Sequence, residues 1–339
     1  MSVFAHDASL TITPSPKEVP MPKAPVLIDL KFSGRAMIVE ALGSFFSDRP
    51  VIDLADPQTK GRDLSDCRYG VLWKPDDDLF SRAPNLEVLF SGGAGVERVL
   101  ALQGLPDIPL VRFVDPSLTR RMSEYVVLQC LHHARRMPDY ARLKAEKDWQ
   151  PLPPAEAGDF TVGIMGLGVL GQDAAAKLKI MGFNVIGWSR RKKEIDGVEC
   201  FDARGLDDFL SGTDILVGLL PLTDETAGIF SRALFEKLRR SGPLGSPVFI
   251  NAGRGGSQVE ADILAALDDG VLHGASLDVF ETEPMPATSP LWAHERVVVT
   301  PHVASDTDVG ALFAHVERQI ARFEAGEPLQ HVVNRAAGY

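Results

Sequence analysis

From Phe160 onward the chain alternates short, almost wholly apolar runs with longer mixed stretches. The runs fall at 160–165, 183–188, 214–220, 247–251, 273–279 and 296–300, and helical patterns such as 233–238 and 261–267 fill the gaps. Strands that are apolar on both faces must be covered on both faces. This spacing therefore predicts a doubly wound parallel sheet between two layers of helices. Ahead of it, Val26–Leu30, Tyr69–Trp73, 86–90 and 109–113 also read as strands, with helical patterns such as 35–46 between them. A long amphipathic stretch from Ser117 to about Lys147 joins the two sets, with apolar residues at Met122, Val126, Val127 and Cys130. Pro138 is expected to kink or divide it. After Thr300 a last helical pattern, 309–323, leads to the C-terminus. No repeat at solenoid spacing and no low-complexity tract interrupts this order.

The turn after the first run of the later set is Gly166-Leu167-Gly168-Val169-Leu170-Gly171. Glycines at these three positions allow a tight turn, a close backbone approach to a pyrophosphate, and packing of the next helix on the strand. The helix would point its amide end at the phosphates. Strand, glycine turn, helix and second strand (183–188) together predict a dinucleotide site. A dinucleotide unit selective for NAD carries an acid about 20 residues past the glycines. Here Ser189-Arg190-Arg191-Lys192-Lys193 stands in its place. A guanidinium and a hydroxyl receive a 2′-phosphate that an acid would repel. NADP(H) is therefore the expected cofactor, with Arg190 and Arg191 as phosphate ligands. The plainer alternative is a solvated basic turn.

Composition narrows the picture. The 339 residues, 45% of them hydrophobic, can build two cored domains. A net charge of −11 argues against nucleic acid or an anionic membrane as partner, and makes the 190–193 run a local patch suited to a small anion. Three widely spaced cysteines, Cys67, Cys130 and Cys200, suggest neither a disulfide framework nor a metal site. A cytoplasmic setting is the natural expectation. No apolar run approaches the ~18 residues of a membrane span. Residues 1–24 read as a proline-bearing extension without a signal-peptide core.

Because the dinucleotide unit begins mid-chain, the earlier strands must form another. We expect a substrate-binding, flavodoxin-like domain from 25–115 and 304–339, and a dinucleotide-binding Rossmann domain from 116–303. The fold class is then α/β, two Rossmann-like doubly wound parallel-sheet domains with an interdomain cleft. Three late strands run into polar residues: Arg254 in Asn251-Ala252-Gly253-Arg254, Asp278 and Glu283 in Asp278-Val-Phe-Glu-Thr-Glu283-Pro, and His302 in Thr300-Pro-His302. In a doubly wound sheet these ends face one crevice with the glycine turn. Singly, each has a plain structural explanation. His132 and His133 fall in the long helical stretch, and His273 and His315 have no partner that sequence can name.

These motifs resemble the D-isomer-specific 2-hydroxyacid dehydrogenase family, in particular its NADP(H)-dependent glyoxylate/hydroxypyruvate reductases, over about residues 25–339. The resemblance implies Arg254, Glu283 and His302 as the catalytic trio. It implies NADP(H) contacts at the 166–171 turn, Ser189, Arg190, Arg191, Leu220, Pro221, Asn251, Ala252, Gly253 and Asp278. It further implies Ala94 and Gly95, in Ser91-Gly-Gly-Ala94-Gly95-Val96, as amide donors to a substrate carboxylate, with Trp73, Arg254 and His302 also lining the substrate. A homodimer through the cofactor domain, with 117–147 as contact, is expected on the same ground. The chemistry agrees. Reducing a 2-oxo acid needs a hydride to carbon and a proton to oxygen, and a histidine steadied by a carboxylate can deliver the proton. Arginine suits the substrate carboxylate, and no metal is required. Substrate choice falls to loops such as 73–78 and 292–295. The alternatives are a D-lactate-type or bulkier 2-ketoacid dehydrogenase, a non-catalytic dinucleotide-sensing protein, or another Rossmann-type enzyme such as a methyltransferase.

Overall fold

The computed structural model describes residues 23–31, 35–93 and 95–335. Most of the 1–24 extension, and Ala94 of the expected substrate turn, therefore lie outside the described residues.

Two parallel sheets organise the chain. The first part runs β1 (Val26–Leu30), α1 (Arg35–Leu42), β2 (Val51–Asp53), β3 (Tyr69–Trp73), α2 (Leu79–Arg82), β4 (Val88–Ser91), α3 (Glu97–Leu100) and β5 (Leu110–Val111). Its strands lie in the order β2-β1-β3-β4-β5, the flavodoxin-like doubly wound order. β1 is buried at every position, as its run Val26-Leu27-Ile28 predicts, and it buries Asp29 as well. The next segment is helical, α4 (Pro116–Ala134) and α5 (Met137–Glu146). Asp115 caps α4 by accepting from the Leu118 amide at 3.1 Å. The division expected at Pro138 falls slightly earlier: Arg136 takes a left-handed φ of 57°, and the proline sits in the first turn of α5, where its missing N–H costs nothing.

The later part runs β6 (Thr161–Met165), α6 (Val169–Ile180), β7 (Asn184–Trp188), β8 (Glu199–Phe201), α7 (Leu206–Ser211), β9 (Ile215–Gly218), α8 (Arg232–Phe235), β10 (Val248–Asn251), α9 (Glu260–Asp268), β11 (Gly274–Leu277), β12 (Val297–Val299) and α10 (Val309–Glu324). Sheet order is β12-β11-β10-β9-β6-β7-β8, the dinucleotide-binding order with its reversal between β6 and β9. The fold is thus α/β with two doubly wound parallel sheets, as the apolar rhythm predicts. Edge strands β2 and β8, of three residues each, carry too few apolar residues to show in that rhythm.

Packing follows the same division. Met122, Val126 and Cys130 of α4 join Val162, Ile164 and Ala174 in one core, so α4 lies against the second sheet. Leu312, Phe313, Val316 and Ile320 of α10 instead pack on Val26, Ile28, Val71 and Phe90 of the first. Past α10 the chain adds to the edge of β5, where Val333 donates to the Leu110 carbonyl at 2.8 Å.

Candidate active site

A cavity of about 1760 Å³ opens where the carboxyl ends of both sheets meet. It is well above the ~300–1,000 Å³ usual for one small ligand. Lys31 after β1, Trp73 and Lys74 at the end of β3, and Gly93 and Gly95 after β4 form one wall. The opposite wall comes from the turns after β6, β7, β9, β10, β11 and β12. Every strand that borders a switch point therefore delivers a residue to the same space, as doubly wound topology requires.

The glycine turn has the shape of a phosphate cradle. Gly166 sits at φ +114°, and a Cβ there would come within 2.5 Å of the Leu219 carbonyl oxygen. At Gly171 a Cβ would lie 2.0 Å from the Gly166 oxygen, so α6 packs closely against its own strand. Nothing lies within 4 Å of the place a Gly168 side chain would take, just where α6 opens its amide end. Backbone donors around open space fit a pyrophosphate. Leu167, Val169, Leu170, Leu220, Pro221, Ala252 and Gly253 line the same cavity.

At the far end of this groove Ser189 and Arg190 line the wall. The Arg190 guanidinium lies 3.1 Å from Glu225, an exposed pair across the groove mouth. Ser189 Oγ donates to the Arg191 carbonyl at 2.7 Å, which shapes the turn. Of the basic run, Lys193 joins Arg190 on the cavity wall, whereas Arg191 is exposed and does not line it. The geometry of the turn decides this, and a run of four basic residues cannot reveal it.

Arg254, Glu283 and His302 all line the cavity. The imidazole Nδ1 of His302 lies 3.0 and 2.9 Å from the two Glu283 oxygens. Burial raises the Glu283 carboxyl, but the hydrogen bond and charge of His302 outweigh it and hold the group below the usual carboxylate range. It is therefore charged at neutral pH. His302 has a left-handed φ of 56°, which for a residue with a Cβ costs ~1–2 kcal/mol. Its amide donates to the Asp278 carbonyl at 2.8 Å. Asp278 does more through its side chain. One oxygen accepts from Thr300 Oγ1 at 2.6 Å and Val303 N at 2.9 Å, and the other from Ala304 N at 2.9 Å. Tyr125 of α4 hydrogen-bonds Thr300 from behind at 2.9 Å. The carboxylate of Asp278 is thus spent on the segment that presents His302.

Asn251 acts in the same way for Arg254. It is fully buried and sits behind the cavity wall; its Oδ1 accepts from Gly253 N at 3.0 Å and its amide donates to Gln258 at 2.7 Å. On the first-sheet side, the Trp73 ring rests on Gly93, where a Cβ would lie 2.8 Å away. Gly95 abuts Arg254 Nη2, so the turn after β4 and the loop after β10 touch across the cleft. Trp292, in the second loop expected to govern substrate choice, also lines the cavity. Sequence reasoning passed over Glu97 and Lys31 on this wall. Their only signal is position, each lying a few residues beyond the end of a strand that faces the cleft.

The remaining candidates resolve as structure. His133 Nε2 pairs with Ser276 Oγ at 2.8 Å, and burial lowers its pKa to about 3. His273 lies 3.5 Å from Asp139, the partner that sequence could not name. All three cysteines are buried thiols, and burial pushes Cys67 up to about 11. Among the described residues no group of three or more His, Cys, Asp or Glu is placed to hold a metal ion, and no helix is long and apolar enough to cross a membrane.

Comparison with known proteins agrees with this geometry. Residues 127–304 match the model of the NAD-binding domain of D-isomer specific 2-hydroxyacid dehydrogenases. Glyoxylate/hydroxypyruvate reductase A of Klebsiella pneumoniae is 44% identical over 287 residues, covering 83% of this chain and 90% of that protein. Among solved structures, an NADPH-dependent glyoxylate/hydroxypyruvate reductase of Sinorhizobium meliloti, in complex with NADP and sulfate, superposes with a TM-score of 0.91. It is 63% identical and covers 94% of this chain and 100% of that one. A probable 2-hydroxyacid dehydrogenase of Rhizobium etli, in complex with NADP, HEPES and L(+)-tartaric acid, gives 0.88 at 60% identity over 94% of this chain and 100% of that one.

Proposed function

The chain belongs to the D-isomer specific 2-hydroxyacid dehydrogenase family, and from that premise we propose that it reduces glyoxylate, hydroxypyruvate and similar small 2-oxo acids to D-2-hydroxy acids with NADPH. The observation that carries the proposal is the His302–Glu283 pair at 2.9 Å on the same cavity wall as Arg254 and the glycine turn. When bound, NADPH supplies the hydride that adds to the substrate carbonyl carbon. The 166–171 turn holds the pyrophosphate, and Ser189 and Arg190 the 2′-phosphate, with Lys193 adding positive charge. Arg254 and the Gly95 amide hold the substrate carboxylate. His302 gives its proton to the carbonyl oxygen, while Glu283 fixes the ring through Nδ1 and balances its positive charge. Charge growing on that oxygen then meets a preset cation in a cleft that limits water.

Residues 25–115 with 304–339 serve as the substrate domain in this reading, and 116–303 as the cofactor domain. Homodimerisation through the cofactor domain is supported by exposed apolar side chains on the α4–α5 segment and just beyond it: Leu128 (59% exposed), Met137, Tyr140 and Trp149 (99% exposed). Buried free thiols suit a cytoplasmic protein. The test is a table of initial rates with NADPH and NADH against glyoxylate, hydroxypyruvate, pyruvate and a bulkier 2-oxo acid. The expected pattern is fastest turnover with NADPH and with glyoxylate and hydroxypyruvate. Tight NADPH binding without oxidation of any of them contradicts the reading, and a preference for the bulkier acid narrows it to a different dehydrogenase.

A further inference from the structure

Glu97 carries no part of the chemistry assigned above, yet it lies on the cavity wall beside the arginine that does. It is the first residue of α3, on the first-sheet side of the cleft, whereas Arg254 follows β10 of the second sheet. Its Oε1 stands 3.3 Å from Arg254 Nε, and both side chains are about three-quarters buried, at 24% and 27% exposure. The rest of the guanidinium is held too. Nη1 donates to the Gly253 carbonyl at 2.7 Å, and Nη2 fills the space that a Gly95 side chain would occupy, 1.9 Å from an ideal Cβ. The same Cβ would lie 2.7 Å from Glu97 Oε2, so the missing side chain at Gly95 lets acid and arginine meet.

We propose that Glu97 is a positioning residue for Arg254, an ion pair across the cleft that fixes the guanidinium so that its Nη2 edge, beside the Gly95 backbone, receives the substrate carboxylate. This rests on the reading of Arg254 as the carboxylate anchor. An unrestrained arginine carries ~2 kcal/mol of side-chain entropy, which must be given up when substrate binds. An acid on Nε gives it up beforehand, and leaves the outer N–H of Nη2 to donate to the substrate. The acid also repels an incoming carboxylate. The arrangement implies that preorganisation outweighs this repulsion, and the two effects have opposite signs in experiment.

The test compares wild type with Glu97→Ala and Glu97→Gln, each alone and in an Arg254→Lys background. The readouts are KM for glyoxylate, KM for NADPH, and binding of oxamate (an unreactive 2-oxo acid analogue) to the NADPH-loaded protein by calorimetry. Glu97→Ala is expected to raise the glyoxylate KM and weaken oxamate by about tenfold, with the NADPH KM within twofold of wild type. Glu97→Gln, nearly the same shape without the charge, falls between and covers the case in which the alanine variant does not fold. In the lysine background, which has no fork to orient, either change adds less than twofold. Unchanged or tighter oxamate binding in Glu97→Ala and Glu97→Gln overturns the proposal, as does a full additive loss in the lysine background. Failure of wild type to oxidise NADPH defeats the reductase reading instead, while oxamate binding still decides the role of Glu97.

Discussion

Around His302 nearly every polar atom of the supporting turn is engaged, whereas the far end of the groove holds a half-buried Ser189 and an exposed Arg190 on a surface turn. Asp278, only 1% exposed, gathers three donors from the 300–304 segment, and Tyr125 braces Thr300 from another helix. Hydrogen bonds to a charged group contribute ~1.5–3 kcal/mol each, enough to offset the left-handed backbone at His302. By contrast, Arg190 is 45% exposed and its ion pair with Glu225 reaches a side chain that is 70% exposed, the kind of contact worth ~0–1 kcal/mol. The difference follows from what each end must do. Proton delivery depends on placement, and a 1 Å error can cost ~10²-fold. Recognising a phosphate dianion needs mainly positive charge, which tolerates looser geometry.

The comparison can be broken at its rigid end first. His302→Ala should lower turnover with NADPH and glyoxylate by ~10²–10⁴-fold, the worth of a positioned acid, with NADPH affinity little changed. Asp278→Asn leaves the imidazole in place but sets an amide donor against backbone donors. It should cost an intermediate ~10²-fold in turnover and lower the denaturation midpoint, which His302→Ala should not. If Asp278→Asn keeps full activity, the turn does not depend on that carboxylate. The loose end should respond weakly. Arg190→Ser should raise the NADPH KM by no more than ~10-fold, with kcat nearly unaltered and the effect shrinking in high salt. A loss as large as that at Asp278 would mean that the phosphate end is as tightly built as the catalytic end.

Much of this was legible before any coordinates. Unbroken apolar runs such as Val248-Phe249-Ile250 and Ile215-Leu216-Val217 announce burial on both faces, and glycines at 166, 168 and 171 mark the turn between β6 and α6. The trio could be assembled because parallel topology sends every strand end to one side. Edge strands β2 and β8, of three residues each, left no pattern. Glu97 escaped because an acid opening a short helix is usually solvated, and only the meeting of two sheets sets it against Arg254. The same holds for Asp278. The family resemblance implies a cofactor contact and the residue does line the cavity, but its carboxylate also holds the His302 segment, a role that no spacing rule encodes.

The central claim is that Arg254, Glu283 and His302 surround one reacting carbonyl beside the nicotinamide. Its most direct test is a crystal structure of the protein with NADPH and oxamate, in which two distances are measured. The account predicts the oxamate carboxylate on Arg254 and its carbonyl oxygen within ~2.6–3.2 Å of His302 Nε2. Oxamate seated elsewhere in the cleft, with His302 Nε2 facing solvent or another protein group, would contradict it.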